Sequence, residues 1–250
     1  MSKQENIMNE LLKNQELINR ARPFTEPLLS QVKKFYRISL TWSSNALEGN
    51  TLTESETKVL LEDGLTVGGK PLRDTYEAIG HSKAYSYMYT LLHNQILTEK
   101  DILTLHSLFY KEIDEKNAGQ YRKIPVFISG SNYPVCLPEE IPAAMKDFCH
   151  WIEVNKGMDP ITLSALAHQK FVFIHPFVDG NGRVARLIMN TLLIQRGYLP
   201  VIIPPVRRVE YIHALEKAHT DTRPFIQLIK EMEIESQRDF IRFLGLDKHR

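Results

Sequence analysis

From Pro160 to Gly197 the chain is apolar at helical spacing, apart from one polar insert, HPFVDGNGRVAR (His175–Arg186). That insert constrains the fold more than any other feature. It separates the end of one helix from the start of another and gathers a titratable ring, a carboxylate and two guanidiniums around a glycine turn. The same helical spacing governs the rest of the chain, so the expected fold class is all-α. An opening helix over Lys3 to Ala21 ends at Pro23, and a second runs from Pro27 to about Leu40. Thr53 with Glu56, and Thr98 with Asp101, have the spacing of capping boxes that open further helices. Helices are expected over Asp74–His93, Ile141–Val154, Pro160–Ile174, about Arg183–Gly197, and from near Pro224. Gly197 suits the position after a helix, and Pro200 blocks its continuation.

One stretch departs from this pattern. KIPVFISGSNYPVCL (Lys123–Leu137) sets β-branched and aromatic residues around a Ser-Gly-Ser-Asn turn, which predicts a β-hairpin. Pro125 and Pro134 restrict it to edge strands. An exposed strand edge is a docking site for an extended peptide.

Composition narrows the function classes. Lys and Arg number 31 against 30 Asp and Glu, so there is no strong positive field and a nucleic-acid partner is not expected. Cys136 and Cys149 form neither a disulfide framework nor a zinc spacing. The first residues, MSKQENIMNELLKNQ, are polar, and no apolar run has the length of a membrane span. The expectation is a soluble cytoplasmic protein with no membrane partner. The division expected is a helical N-terminal region over 1–95 and a core over 96–250.

The insert has a chemistry of its own. Glycines allow backbone N–H groups to converge, and a helix beginning beside them adds free N–H groups and a positive dipole end, which together suit phosphate. Arg183 and Arg186 lie on one helical face and suggest more than one phosphate group. Asp179 would be repelled by phosphate unless a cation such as Mg²⁺ lay between them. His175 is then the nearby group able to take a proton near neutral pH. DGNG alone is ordinary turn chemistry, the ligands of a calcium-binding EF-hand loop are missing, and no G-K-[ST] follows to make a P-loop.

The whole string resembles the signature of the Fic (Fido) family, H-x-F-x-[DE]-G-N-G-R-x-x-R, with every position matched. The resemblance extends through AGQYRKIPVFISGSNY and LIMNTLLIQRGYLPVII, from about Ser44 onward. It implies an all-α bundle with one β-hairpin flap (123–137) beside an active-site loop (175–186), and transfer of AMP from ATP to a Ser, Thr or Tyr hydroxyl of a protein. His175 would be the general base and Asp179 the Mg²⁺ ligand. Gly180, Asn181 and Gly182 would form the anion hole, with Arg183 at the β-phosphate and Arg186 at the γ-phosphate. Phe177 would anchor the core. The flap would hold the target by strand pairing, with its turn (Ile128, Ser129, Gly130, Ser131) near the nucleotide. Tyr211 and His219 are expected on the adenine side, although the family often has Asn where this chain has His219.

A second stretch, SSNALEGN (Ser43–Asn50), contains Ser44-x-x-x-Glu48-Gly49, which resembles the family's inhibitory motif. On this reading a helical segment near 41–49 places Glu48 on Arg186 in competition with the γ-phosphate. In some relatives with this motif the same site removes AMP, with the Glu orienting water. A protein that senses nucleotide with little transferase activity is the alternative from another class. Self-modification and homo-oligomer formation are compatible with the sequence. His106 and His168 read as structural or surface residues, and Cys136 as a small residue of the hairpin.

Overall fold

A computed structural model describes residues 3–94 and 96–246. Among the described residues there are ten α-helices and no β-strand. They are α1 (Lys3–Arg20), α2 (Glu26–Ala46), α3 (Glu54–Asp63), α4 (Leu72–Thr90), α5 (Glu99–Tyr110), α6 (Ile141–Val154), α7 (Pro160–Ile174), α8 (Asn181–Gln195), α9 (Arg208–Lys217) and α10 (Arg223–Leu244).

Local chemistry sets many of the boundaries. Both predicted capping boxes form, Thr53 with Glu56 opening α3 and Thr98 with Asp101 opening α5. Asp159 caps α7, accepting from Thr162 N at 2.9 Å. Gly197 follows α8 with φ 79°, and the Tyr198 N–H reaches back to Leu193 O at 3.0 Å.

α8 is the central element. It is buried along nearly its whole length, from Asn181 to Leu193. It packs along α7, with α4 and α5 on another side, while α10 covers α7 and α1 lies on α10. Phe171, Phe177, Val184, Ile188 and Phe109 are fully buried between these helices. Each such side chain contributes about 1.5–3 kcal/mol of apolar burial. The polar insert therefore sits at the α7–α8 junction, gripped by the core on both sides.

Two expectations need correction. The second helix does not stop near Leu40 but continues to Ala46, so Ser44 lies in its last turn. Thr41, Ser43, Ser44 and Asn45 are poor helix formers, yet all four are buried, and packing overrides their propensity. The predicted β-hairpin is absent: residues 123–137 form an extended loop around a turn closed by Ser131 N–H to Ile128 O at 3.1 Å, with no strand pairing. Pro125 and Pro134 remove two donors that a ladder would need. Arg122 takes the ladder's place. Its guanidinium donates to Ile124 O at 3.0 Å on one arm and to Cys136 O on the other.

Candidate active site

His175 ends α7 with φ 52° and ψ 58°, the one non-glycine residue with positive φ among the described residues. This left-handed cap turns the chain sharply into the glycine turn. Two contacts fix it: the His175 N–H donates to Phe171 O at 3.0 Å, and the His175 carbonyl accepts from Arg122 Nε at 2.8 Å. Burial lowers the imidazole pKa to about 4, and the Arg122 charge adds to that shift. The ring is therefore neutral at pH 7.

Asn181 clamps the turn. Its side chain accepts from Phe177 N and donates to Phe177 O, both at 2.9 Å. Its amide oxygen and one of its two amide N–H groups are thereby engaged in holding the loop, and its backbone N–H has no intrahelical acceptor. The first intrahelical bond of α8 runs from Val184 N to Gly180 O at 3.0 Å, so the N–H groups of Asn181, Gly182 and Arg183 precede any intrahelical acceptor. Gly180 has φ 82° and lies against the Phe109 ring. A Cβ at Gly182 would come within 2.3 Å of Glu48 Oε1, so a side chain there would have to push the Glu48 carboxylate aside.

Glu48 lies just past the end of α2 and reaches across to α8. Its Oε1 accepts from Arg186 Nη2 at 2.7 Å. Arg186 is buried, with Nε on Ser44 Oγ and Nη2 also on Ser44 O, both at 2.8 Å, and Nη1 on Tyr211 OH at 3.2 Å. The Tyr211 hydroxyl lies 2.9 Å from His168 Nε2. Burial opposes charge on Glu48, but Arg186 and Arg183 outweigh it and hold the carboxyl below its ordinary range. The Glu48 side chain is 36% exposed, so the pair is buried on the arginine side and open on the carboxylate side. Gly49 ends the segment with φ 96°.

Arg183 does not face open space. It is paired with Glu77 at 2.9 Å and Asp179 at 3.1 Å and stacks over Phe109. Partial burial opposes the Asp179 charge, but Arg183, the Gly180 N–H and Arg73 together hold it below the usual carboxylate range. Among the described residues no three His, Cys, Asp or Glu side chains cluster as a metal site. Asp179 is a single, partly exposed carboxylate. This donor set fits Mg²⁺ held jointly with nucleotide phosphates and water, the usual mode for that ion.

One cleft of about 250 Å³ brings together Glu48, Ile128, Ser129, Gly130, Ser131, His175, Gly182, Tyr211 and His219. The sequence singled out all nine. Ser44 and Arg186 lie behind it, and Arg183 and Asp179 pair beside it. Tyr211, expected near adenine, has its hydroxyl committed to Arg186 and His168. His219 is sandwiched, with its ring 3.5 Å from that of Phe173 and 3.8 Å from that of Tyr133.

The sequence alone does not connect Arg122 or Glu216 to the site, and it reads His106 as a structural or surface residue without a link to the turn. Arg122 holds His175 and both arms of the loop. His106, fully buried, accepts from Gly119 N at Nδ1 (2.9 Å), so its Nε2 carries the proton and donates to Asp179 O at 3.1 Å. Glu216 accepts from Ser131 Oγ and Asn132 N, both at 2.8 Å, and docks the 128–131 turn on α9. A local sequence signal marks none of them, because each contact is made across the fold.

Known proteins are similar to this chain in both fold and sequence. The Fic/DOC family profile matches residues 96–193. A solved variant of a Fic-1 fragment from C. elegans superposes with a TM-score of 0.86 at 30% identity, over 96% of this chain and 73% of that one. The chain belongs to the Fic/DOC family. A Fic domain containing signaling protein from Bacteroides thetaiotaomicron superposes with a TM-score of 0.85 at 28% identity, over 92% of this Fic chain and 95% of its own. The protein adenylyltransferase Fic of Drosophila grimshawi is 38% identical over 207 residues, 81% of this chain. This Fic chain spans only 42% of the length of that relative. None of its described helices is long and apolar enough to cross a membrane.

Proposed function

We propose that this Fic protein transfers AMP from ATP to a Ser, Thr or Tyr hydroxyl of a protein, and that Glu48 holds the activity in check. The observation that carries the reading is the Glu48 Oε1–Arg186 Nη2 contact of 2.7 Å beside the first turn of α8. Free N–H groups and a positive dipole end there favour an anion, and Glu48 is the anion present. A phosphate arriving at Arg186 has to displace it.

His175, neutral and at the cleft wall, accepts the proton of the target hydroxyl. The oxygen then attacks the α-phosphorus of ATP, and pyrophosphate leaves. The N–H groups of Asn181 and Gly182 hold phosphate oxygens, and Arg183 and Arg186 neutralise the β- and γ-phosphates. Mg²⁺ held at Asp179 would offset the remaining charge. The loop 123–137 presents backbone that is in no strand ladder and the exposed side chains of Ile124 and Phe127 to the target. In this reading residues 1–95 supply the restraint and 96–250 the chemistry. The family relationship to proteins named adenylyltransferase supports the reaction class.

The test compares wild type, Glu48→Gly and Glu48→Gly/His175→Ala with ATP labelled on the α- or γ-phosphate, with cell extract as target. If the restraint amounts to about 3–4 kcal/mol, Glu48→Gly raises α-label transfer by roughly a hundred- to a thousand-fold, and the double variant abolishes it. Transfer of γ-label, or of neither label, overturns the reading. A second activity, hydrolytic removal of AMP from a modified protein, is favoured by the partial exposure of the Glu48 carboxylate in the same cleft as His175. There Glu48 would orient the water, and release of AMP by wild type but not by Glu48→Gly is the expected outcome.

A further inference from the structure

Both oxygens of the Asp179 carboxylate are already engaged. Oδ1 accepts from Gly180 N at 2.6 Å and Arg183 Nη2 at 3.1 Å, and Oδ2 lies 2.5 Å from Arg73 Nη2. Arg73 comes from the first turn of α4 and has no counterpart in the sequence motif. Its Nε lies 3.1 Å from Glu77 Oε1, which also faces Arg183 Nη1 at 2.9 Å. The second Glu77 oxygen accepts from Asn50 Nδ2 at 2.9 Å. The two arginines differ in freedom. Arg183 is 4% exposed and packed on Phe109, whereas the Arg73 side chain is 54% exposed and has solvent to swing into.

We propose that Arg73 is a placeholder cation, occupying Asp179 Oδ2 until a divalent metal arrives with nucleotide and then withdrawing onto Glu77. The inference rests on the nucleotide reading of the site and deepens it. Asp179 needs a positive partner on its outer oxygen, because burial disfavours its charge. A guanidinium and a divalent ion on that one oxygen would repel each other at a separation of ~4 Å. Glu77 gives the displaced guanidinium a second carboxylate without a change in the α4 backbone. Metal loading and the position of Arg73 are then mutually exclusive, which prevents Asp179 from standing unpaired beside incoming phosphates.

The experiment titrates Mg²⁺ against the full chain at a fixed concentration of a non-hydrolysable ATP analogue, reading nucleotide binding by calorimetry, with parallel series in EDTA. Wild type is compared with Arg73→Gln, Arg73→Ala and Arg73→Lys. Arg73→Gln and Arg73→Ala are expected to lower the Mg²⁺ concentration for half-maximal binding by about two- to five-fold, the range of a solvent-exposed ion pair. In EDTA they should weaken binding, because Asp179 then faces the phosphates with no cation on Oδ2. Affinity at saturating Mg²⁺ should match wild type, and Arg73→Lys should stay near wild type in both conditions because it keeps the charge. An unshifted Mg²⁺ dependence in Arg73→Gln overturns the inference alone. Weaker binding that persists at saturating Mg²⁺ also overturns it, by marking Arg73 as a phosphate ligand. If wild-type binding does not respond to Mg²⁺, the metal reading of Asp179 fails and the inference falls with it.

Discussion

His106 lies in the middle of α5, and nothing near it in sequence connects it to the glycine turn. Yet it holds the Asp179 carbonyl on one nitrogen and the Gly119 N–H on the other, and its ring stacks on Phe177 at 3.7 Å. His106→Ala therefore removes two hydrogen bonds and opens a cavity beside the turn. We expect a loss of at least about 2 kcal/mol in chemical denaturation. Nucleotide binding should weaken as well, because Asp179 loses its anchor. The contrast with His175 shows what a sequence exposes at this scale. His175, Glu48 and the arginines sit in short strings whose residue types announce a phosphate site. His106, Arg122, Arg73 and Glu216 act through contacts made only after folding, and their neighbours in sequence carry no matching pattern.

Among the elements, the helices were legible wherever capping or proline chemistry marked an end. α6 and α7 fall on their expected bounds, since Pro142 and Pro160 lie in their first turns. α2 runs past its expected end because its last turn is held by burial and by Arg186, not by helix propensity. The 123–137 segment was misjudged because β-favouring side chains alone do not supply the donors that a ladder needs. Arg122 is 2% exposed and holds both arms of that segment. Arg122→Ala is accordingly expected to raise amide exchange and protease cleavage within 124–136, with little change in α7 and α8. Hydrogen-exchange mass spectrometry checks this. Glu216→Gln should loosen only the 128–131 turn, since Arg122 still holds the arms.

For the molecule as a whole, buried imidazoles couple the fold to pH. His81, His106 and His168 are almost fully buried, and burial lowers their pKa values to about 3, 4 and 3. Each stays neutral in the fold while the unfolded chain takes up a proton below its ordinary value. Stability from these rings is thus present above pH ~6.5 and is lost as pH falls toward about 4 and then 3. Glu233 opposes the trend. It is fully buried, and desolvation raises its pKa well above normal, so the fold holds a proton that the unfolded chain releases. His175, lowered to about 4, acts in the same sense, so four histidines outweigh one glutamate, and the net slope near pH 5 is roughly 4 kcal/mol per pH unit. Thermal unfolding should therefore show a midpoint that falls steadily from pH 6.5 to pH 5. A flat profile over that range would mean that these rings are not held neutral.

The backbone beside Glu48 is pinned through Leu47. The Leu47 side chain is buried in the apolar cluster with Met189 and Tyr211, and its carbonyl accepts from Arg208 Nε at 2.6 Å. What is left to move is the carboxylate arm itself, one-third in solvent. A change of partner at Arg186 is then a rotamer event on the picosecond-to-nanosecond scale, requiring no hinge. Two forms of the protein differing only there would have superimposable main chains. Whatever sets the balance between them, whether a small anion, a bound segment or a single substitution, has to compete for only one side chain.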